Sequence, residues 1–342
     1  MPVAPSPSLP SPEAFDPRVI RHAAVSGASG FIGRYLCREL QSRAIKVTAI
    51  HRHAQTGPWD QQLLHDLGTD VKLTLPEDVD SVFHLAGFAH AQQDASTDAL
   101  HQRITVDGTT RLLKACPSNV RRLVYFSSVK AMGESTPASC ADETCELHPS
   151  TTYGRARLLA EQGVLANADH MHVSILRLPL VYGPGVKGNL ERLLKAVCKR
   201  RLPVFPDFEN RRSMVHVEDV VYAAIAAAQR PCAAGQTYLL CDGQRYSARQ
   251  IQLSMYAAVG VQRPILRIPR LALRGIALLG DALQALGVVR IPINSVLLEK
   301  LAQSACYDAA RAHSDLAWAP QHTLVEALPS MLAVLRLRGD CQ

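Results

Sequence analysis

One octapeptide limits what this chain can fold into: Ser26-Gly27-Ala28-Ser29-Gly30-Phe31-Ile32-Gly33. It follows the short apolar run Ala23-Ala24-Val25. Beyond it Phe31, Ile32, Tyr35, Leu36 and Leu40 recur at helical spacing on one face. A strand, a glycine turn and a helix in that order make a phosphate site. Gly27 permits the tight turn, Gly30 lets the backbone approach a pyrophosphate, and Gly33 lets the helix pack closely. The helix start offers unpaired N–H groups and partial positive charge to the anion. Ser29, Phe31 and Ile32 fill the spaces between the glycines and are read with them as cofactor-binding. The strand and helix on either side separate this stretch from an ordinary glycine turn, so it is read as dinucleotide-binding.

At 342 residues the chain can build one large or two modest domains, and 47% apolar content excludes disorder. Lys and Arg exceed Asp and Glu, 37 against 30. That excess suits anionic small molecules, but it is too spread out for a nucleic-acid stripe, and no nucleic-acid partner is expected. The short clusters Arg121-Arg122 and Lys199-Arg200-Arg201 read as solvated faces. Nine cysteines lie scattered with no C-x-x-C pair. An odd, scattered set predicts reduced thiols in a cytosolic protein, with no disulfide frame and no metal site. The N-terminus lacks the charged and apolar regions of a secretory signal. Leu271 to Ile293 is strongly apolar, but Arg274, Asp281, Gln284 and Arg290 interrupt it. Its uncharged runs fall short of the ~20 residues an integral span needs. A buried or groove-lining amphipathic helix is the reading, with peripheral membrane contact as the alternative.

Residues 1–17 carry six prolines and read as a disordered extension. Ile45 to Ile50 alternates and is rich in β-branched residues, which predicts strand two. An acid just after this strand would hold the ribose diol of NAD. The chain has His51, Arg52 and His53 instead. The Arg52 guanidinium suits the 2′-phosphate of NADP, which is therefore favoured over NAD. Val82 to Gly87 is a buried strand running into a small-residue turn, and His84 reads as a core histidine. Leu123 to Ser128 is a strand closed by two serines. Open parallel sheets bind ligands beyond the carboxyl ends of their strands, where a hydroxyl can hold a substrate carbonyl. Tyr153 to Glu161 looks helical, and Val173 to Leu178 is a further strand. It leads into Pro179-Leu180-Val181-Tyr182-Gly183-Pro184-Gly185, a rigid turn.

Several of these stretches together resemble one family. They are the G-x-x-G-x-x-G spacing, Ser128 with Tyr153 and a cation four residues on, Arg177 with Val181-Tyr182-Gly183-Pro184-Gly185, and Arg212 with His216-Val217 and Asp219. The chain from about residue 20 to 335 resembles the extended short-chain dehydrogenases/reductases, which include nucleotide-sugar epimerases and dehydratases. The resemblance implies an α/β fold, a Rossmann doubly wound parallel sheet over 18–180 with a smaller C-terminal substrate-binding lobe over 181–335. About 213–231 would return to the Rossmann layer. It implies that Asp66 bonds the adenine amino group and that Leu85, Ala86 and Gly87 pass close to the cofactor phosphates and ribose. Thr105 stands where the family has Asn. Pro179 and Leu180 would lie by the nicotinamide, Asn189 would meet the sugar or diphosphate, and Arg212 would grip the diphosphate. His216 and Asp219 would fix the local fold. Gln236 to Cys241 is expected as a strand of the second lobe, and Tyr246 to Val259 and Leu271 to Val289 as lid helices.

Hydride transfer to a ketone builds negative charge on oxygen, and a proton must arrive from a positioned acid. A phenol is a poor shuttle at neutral pH unless a nearby cation lowers its pKa. The resemblance gives Tyr153 this task and Ser128 the carbonyl, with Ser127 as the alternative if the register slips by one. Arg157 occupies the place of the family's lysine and would also hold the nicotinamide ribose. It keeps the charge and the spacing, but its fork is longer and planar and never deprotonates. Within the family, Ser128 to Glu134 and Tyr182 to Lys187 look most like bacterial reductases of UDP-4-keto-6-deoxy-N-acetylhexosamines in surface polysaccharide synthesis. A UDP-sugar 4-epimerase is the second reading, and a cofactor-binding regulator without turnover the third. Analogy with the family also suggests a homodimer through helices near 105–115 and 153–165.

Overall fold

The computed structural model describes residues 19–88, 95–137, 139–199 and 202–261, isolated positions between 269 and 281, and 295–341. The proline-rich extension and most of the expected helix over Leu271 to Val289 lie outside the described residues. The chain begins with β1 (His22–Ser26), α1 (Phe31–Ser42), β2 (Lys46–His51), β3 (Gln61–Leu64) and β4 (Ser81–His84). Then α2 (Ala95–Leu100) runs through a π-helical turn, His101–Asp107, into α3 (Gly108–Ala115). After these come β5 (Arg122–Ser128), α4 (Thr152–Leu165), β6 (His172–Leu178), β7 (Leu180–Tyr182), α5 (Asn189–Cys198), β8 (Met214–His216) and α6 (Val217–Gln229). The last elements are β9 (Gln236–Leu239), α7 (Ala248–Val259), α8 (Ser295–Ala302), α9 (Ala310–Leu316) and α10 (Leu324–Leu337).

Seven strands form one parallel sheet in the order β3-β2-β1-β4-β5-β6-β9. The order reverses between β1 and β4, which opens a crevice at their carboxyl ends. Side chains alternate between the two faces. Val25, Val124 and Leu176 pack with Leu36 and Leu40 of α1 and Val220 and Ala224 of α6. Ala24, Leu123, Tyr125 and Ile175 pack with Leu112 of α3 and Val164 of α4 on the other side. Strands covered on both faces read as continuous apolar runs, which is why they are visible in the sequence. The second lobe has its own core, where Leu190 and Leu194 of α5 meet Met255 of α7 and Leu328 and Met331 of α10. The parallel pair β7-β8 joins this lobe to the sheet.

Three expectations are corrected here. The strand at Gln236 belongs to the main sheet and not to the second lobe. It pairs in parallel with β6, because α6 packs back across the sheet and delivers the chain to that open edge. Arg122 is not on a solvated face. It is 2% exposed on β5, its Nη1 lying 3.3 Å from Asp80 Oδ1 and 3.1 Å from Ser81 Oγ, since a charge buried among sheet strands needs partners. Lys199 is exposed, and Arg200 and Arg201 lie outside the described residues. The cysteines are not all reduced thiols. Disulfides join Cys140 to Cys306 and Cys198 to Cys341, each linking segments far apart in sequence that the fold brings side by side. Sequence spacing carries no trace of such pairs. Among the described residues no helix is long and apolar enough to cross a membrane.

Candidate active site

The glycine turn has the shape its sequence demands. Gly27 has φ +71°, and a Cβ there would lie 2.9 Å from Ala86 N. A Cβ on Gly33 would stand 2.3 Å from Gly27 O, so the helix start and the turn touch through bare backbone. Gly30 opens α1 exposed, with no capping side chain and no acid in the first turn, leaving the positive helix end for a ligand. Ser29, Phe31 and Ile32 are half-buried at this mouth, and Leu85, Ala86 and Gly87 border it from β4. This bare, uncapped cradle fits a dinucleotide pyrophosphate.

Arg52 is exposed just past β2. Sequence reasoning missed a second arginine there. Arg34, the residue after the third glycine, lies 5.5 Å from the centre of the Trp59 ring and donates to Gln55 Oε1 (3.0 Å) and Thr56 O (3.2 Å). Its place directly after the last glycine was the available signal. Asp66 Oδ1 accepts Gly68 N at 2.8 Å, so the carboxylate closes its own turn.

Behind the cradle runs a buried polar chain. Thr109 Oγ donates to Thr105 O (2.5 Å) and so accepts from His84 Nε2 (2.9 Å). His84 Nδ1 then accepts from Ser26 Oγ (2.5 Å), which accepts Ala86 N (3.2 Å). These directions fix His84 as the neutral Nε2–H form. Burial, with Arg157 adding to it, lowers its pKa to about 3. Thr105 lies in the π-helical turn, and its hydroxyl accepts Phe88 N at 3.1 Å, which ties that turn to the loop after β4.

Ser128 ends β5 half-buried, its Oγ accepting Lys130 N at 3.2 Å. Ser127 is buried and bonds to Glu161, which pairs with Arg177 at 2.7 Å beneath α4. A Cβ on Gly154 would lie 2.4 Å from Lys130 O, so the start of α4 sits directly on the turn after Ser128. Tyr153, the residue before it, is half-buried there. One helical turn on, the Arg157 guanidinium carbon lies 5.3 Å from the centre of the Tyr153 ring. Arg157 is 6% exposed, and its Nη1 donates to Phe126 O (3.1 Å) and Tyr125 Oη (3.2 Å). A Cβ on Gly87 would meet Arg157 Nη2 at 2.7 Å, so this glycine makes room for the fork. Arg157 Nε has no partner among the described residues. Burial alone would lower the Arg157 pKa, but the Tyr153 and Tyr125 phenols raise it, and the net shift is upward.

On the lobe side Pro179 is half-buried and Leu180 exposed, and Asn189 is exposed at the start of α5. Arg212 lies between Ala305 and Tyr246, exchanging backbone bonds with Tyr246 (2.8 and 3.0 Å). Burial lowers its pKa, while Tyr307 opposes the shift. His216 caps α6 through Nδ1, which accepts Glu218 N, and burial lowers its pKa to about 4. Asp219 accepts Gln321 N (3.1 Å) and His322 N (3.2 Å), so both residues fix the joint between α6 and the segment before α10.

A doubly wound sheet with this cradle and strand-end site is the fold of the extended short-chain dehydrogenases/reductases. The chain belongs to the NAD dependent epimerase/dehydratase family, which its residues 23–241 match. The UDP-glucose 4-epimerase of Vibrio cholerae is 30% identical over 325 residues, covering 91% of this chain and 94% of that protein. The 2-alkyl-3-oxoalkanoate reductase of Stenotrophomonas maltophilia is 29% identical over 327 residues, covering 90% and 98%. The solved structure of MoeE5 in complex with UDP-glucose and NAD superposes with a TM-score of 0.72 at 25% identity, covering 93% of this chain and 99% of that one.

Proposed function

We propose that this chain is an NAD(P)-dependent oxidoreductase acting at C4 of a UDP-linked hexose. In this reading it reduces the ketone of a UDP-4-keto-6-deoxy-hexosamine for surface polysaccharide synthesis. The pairing of the Tyr153 ring with the buried Arg157 guanidinium, on the turn that follows Ser128, carries this reading. When bound, the nicotinamide cofactor supplies the hydride. Ser128 donates to the C4 carbonyl, and Tyr153 gives its proton to O4. Arg157 holds a fixed positive charge against the phenolate left behind. Arginine cannot pass on a proton, so the phenol is restored from another source. Gly87, packed on the Arg157 fork, brings the ribose end of the cofactor within reach of that charge. Arg34 and Arg52, with no acid after β2, favour the 2′-phosphate of NADPH over NADH. Asp66 and Thr105 shape the adenine and ribose walls, and Pro179 and Leu180 flank the nicotinamide. Asn189 and Arg212 hold the diphosphate.

A 4-epimerase is the second reading, favoured by the Vibrio cholerae relative that spans nearly the whole chain. Both reactions need the same phenol, but epimerisation returns the hydride and consumes no cofactor. The test is NADPH and NADH consumption by purified protein with freshly made UDP-4-keto-6-deoxy-N-acetylhexosamine. Consumption with NADPH preference is expected, and Tyr153→Phe lowers kcat by about 10²–10⁴-fold. Conversion of UDP-glucose to UDP-galactose without net consumption would replace the reductase by the epimerase. Arg157→Lys leaves kcat of the same order. A rise from near zero in that variant would identify a binding protein that has lost turnover.

A further inference from the structure

Tyr307 is 4% exposed, and its hydroxyl has no hydrogen-bond partner among the described residues. Buried phenols ordinarily find one, because a desolvated donor left alone is costly. The backbone around it is held on both sides. Tyr307 N donates to Ser213 Oγ (2.9 Å), Ser213 N donates to Ala305 O (2.9 Å), and Tyr307 bridges in parallel to Ala141. The adjacent Cys306 is bonded to Cys140. Residues two apart on an extended segment share a face. Tyr307 therefore stands on the face of Ala305, whose bridge partner is Arg212. Its ring shares an apolar cluster with Val129 and Met132, in the turn that follows Ser128. The ring is thus held against the turn after the strand-end serine, with the lobe arginine close enough to act on its hydroxyl. Glu134 and Arg212 are the charged groups that act on it. Glu134 is itself tied to Lys130 (2.6 Å) and to Thr151 (2.7 Å). Burial raises the Tyr307 pKa, which keeps the phenol a neutral donor.

The geometry points to Tyr307 as a substrate-binding residue, its hydroxyl donating to a diphosphate oxygen of the nucleotide-sugar beside Arg212. The inference rests on the nucleotide-sugar reading above. A rigid donor that needs no reordering on binding adds affinity at little entropic cost.

The test compares wild type with Tyr307→Phe by calorimetric titration with UDP and with UDP-glucose, alongside NADPH titration and the melting temperature of the ligand-free protein. Tyr307→Phe is expected to weaken UDP and UDP-glucose binding by about 10-fold or more, the scale of a hydrogen bond to a charged group. NADPH binding stays unchanged. The ligand-free melting temperature stays level or rises, because the lost hydroxyl had no protein bond to lose. Equal UDP affinity in the two proteins, or a lower melting temperature in the variant, overturns the assignment and makes the hydroxyl structural. If wild type binds NADPH but neither UDP nor UDP-glucose, the nucleotide-sugar reading falls and the role of Tyr307 falls with it.

Discussion

His84 is the residue whose chemistry is most fully determined. Its two ring nitrogens are assigned by their neighbours, and the ring is held neutral with a pKa of about 3 by burial and then by Arg157. His216 is held near 4, again mainly by burial. In the unfolded chain a histidine titrates near 6.5. Between about pH 6.5 and 4 the unfolded state therefore binds more protons than the folded one, and stability falls as pH falls through that window. Urea unfolding at pH 7 and pH 4.5 should show a lower midpoint at the acid end, and His84→Gln should flatten part of that slope. A midpoint that does not move would sink the neutral assignment. The sequence marks His84 as a core residue through its place in an apolar strand. It does not reveal the chain from Ser26 to Thr105, because those partners come from three separate segments. Ser127 and Ser128 are likewise adjacent and alike in sequence. Only the sheet tells them apart, placing Ser127 on the buried Glu161–Arg177 pair and leaving Ser128 half-buried at the strand end.

At the scale of elements, β1, the glycine turn and α1 are legible because their signals are local. The apolar run, the glycine spacing and the helical stripe all fall within about one turn of where the structure places them. Gly33 shows how tightly that unit is specified. Gly33→Ala adds a methyl where only 2.3 Å separates it from the Gly27 carbonyl. The helix start must shift, at a cost of about 1–3 kcal/mol for overpacking, and the cradle widens. Denaturant unfolding should show that loss, and NADPH titration should show affinity reduced more than stability alone explains. An unchanged affinity would mean that this turn is not the phosphate site. The place of β9 in the main sheet was not legible, since sheet neighbours are set by long-range pairing. The π-helical turn His101–Asp107 was equally hidden. Its sequence has ordinary helical periodicity, and the turn is held from the loop after β4, where Phe88 N donates to Thr105 and the Phe88 ring meets His101.

The whole molecule is tied together where the sequence suggested nothing. Cys140–Cys306 fastens the loop between Ser128 and Tyr153 to the lobe across 166 residues, and Cys198–Cys341 fastens α5 to the C-terminus across 143. Such cross-links restrict the unfolded chain and contribute about 2–4 kcal/mol each. Urea unfolding with and without a dithiol reductant should differ by that order, while the free-thiol count rises from five to nine. No change in either would remove the disulfides from the native protein. The parallel sheet with a smaller lobe was expected from the family resemblance, which rests on short local motifs. The weaving of the two was not legible in local signals, because β7, β8 and α6 cross between them through contacts remote in sequence. The same weaving separates the two tryptophans of the chain. Trp59 stands half-buried past β2, 5.5 Å from the Arg34 guanidinium carbon and 5.0 Å from the His51 ring. Trp318 is 5% exposed, its indole N–H on Asp219 O at 2.9 Å. The protein thus carries two built-in fluorophores in unlike settings, one half-buried beside Arg34 and one in the core, so a single emission spectrum can tell a local change at the sheet's end from unfolding of the whole.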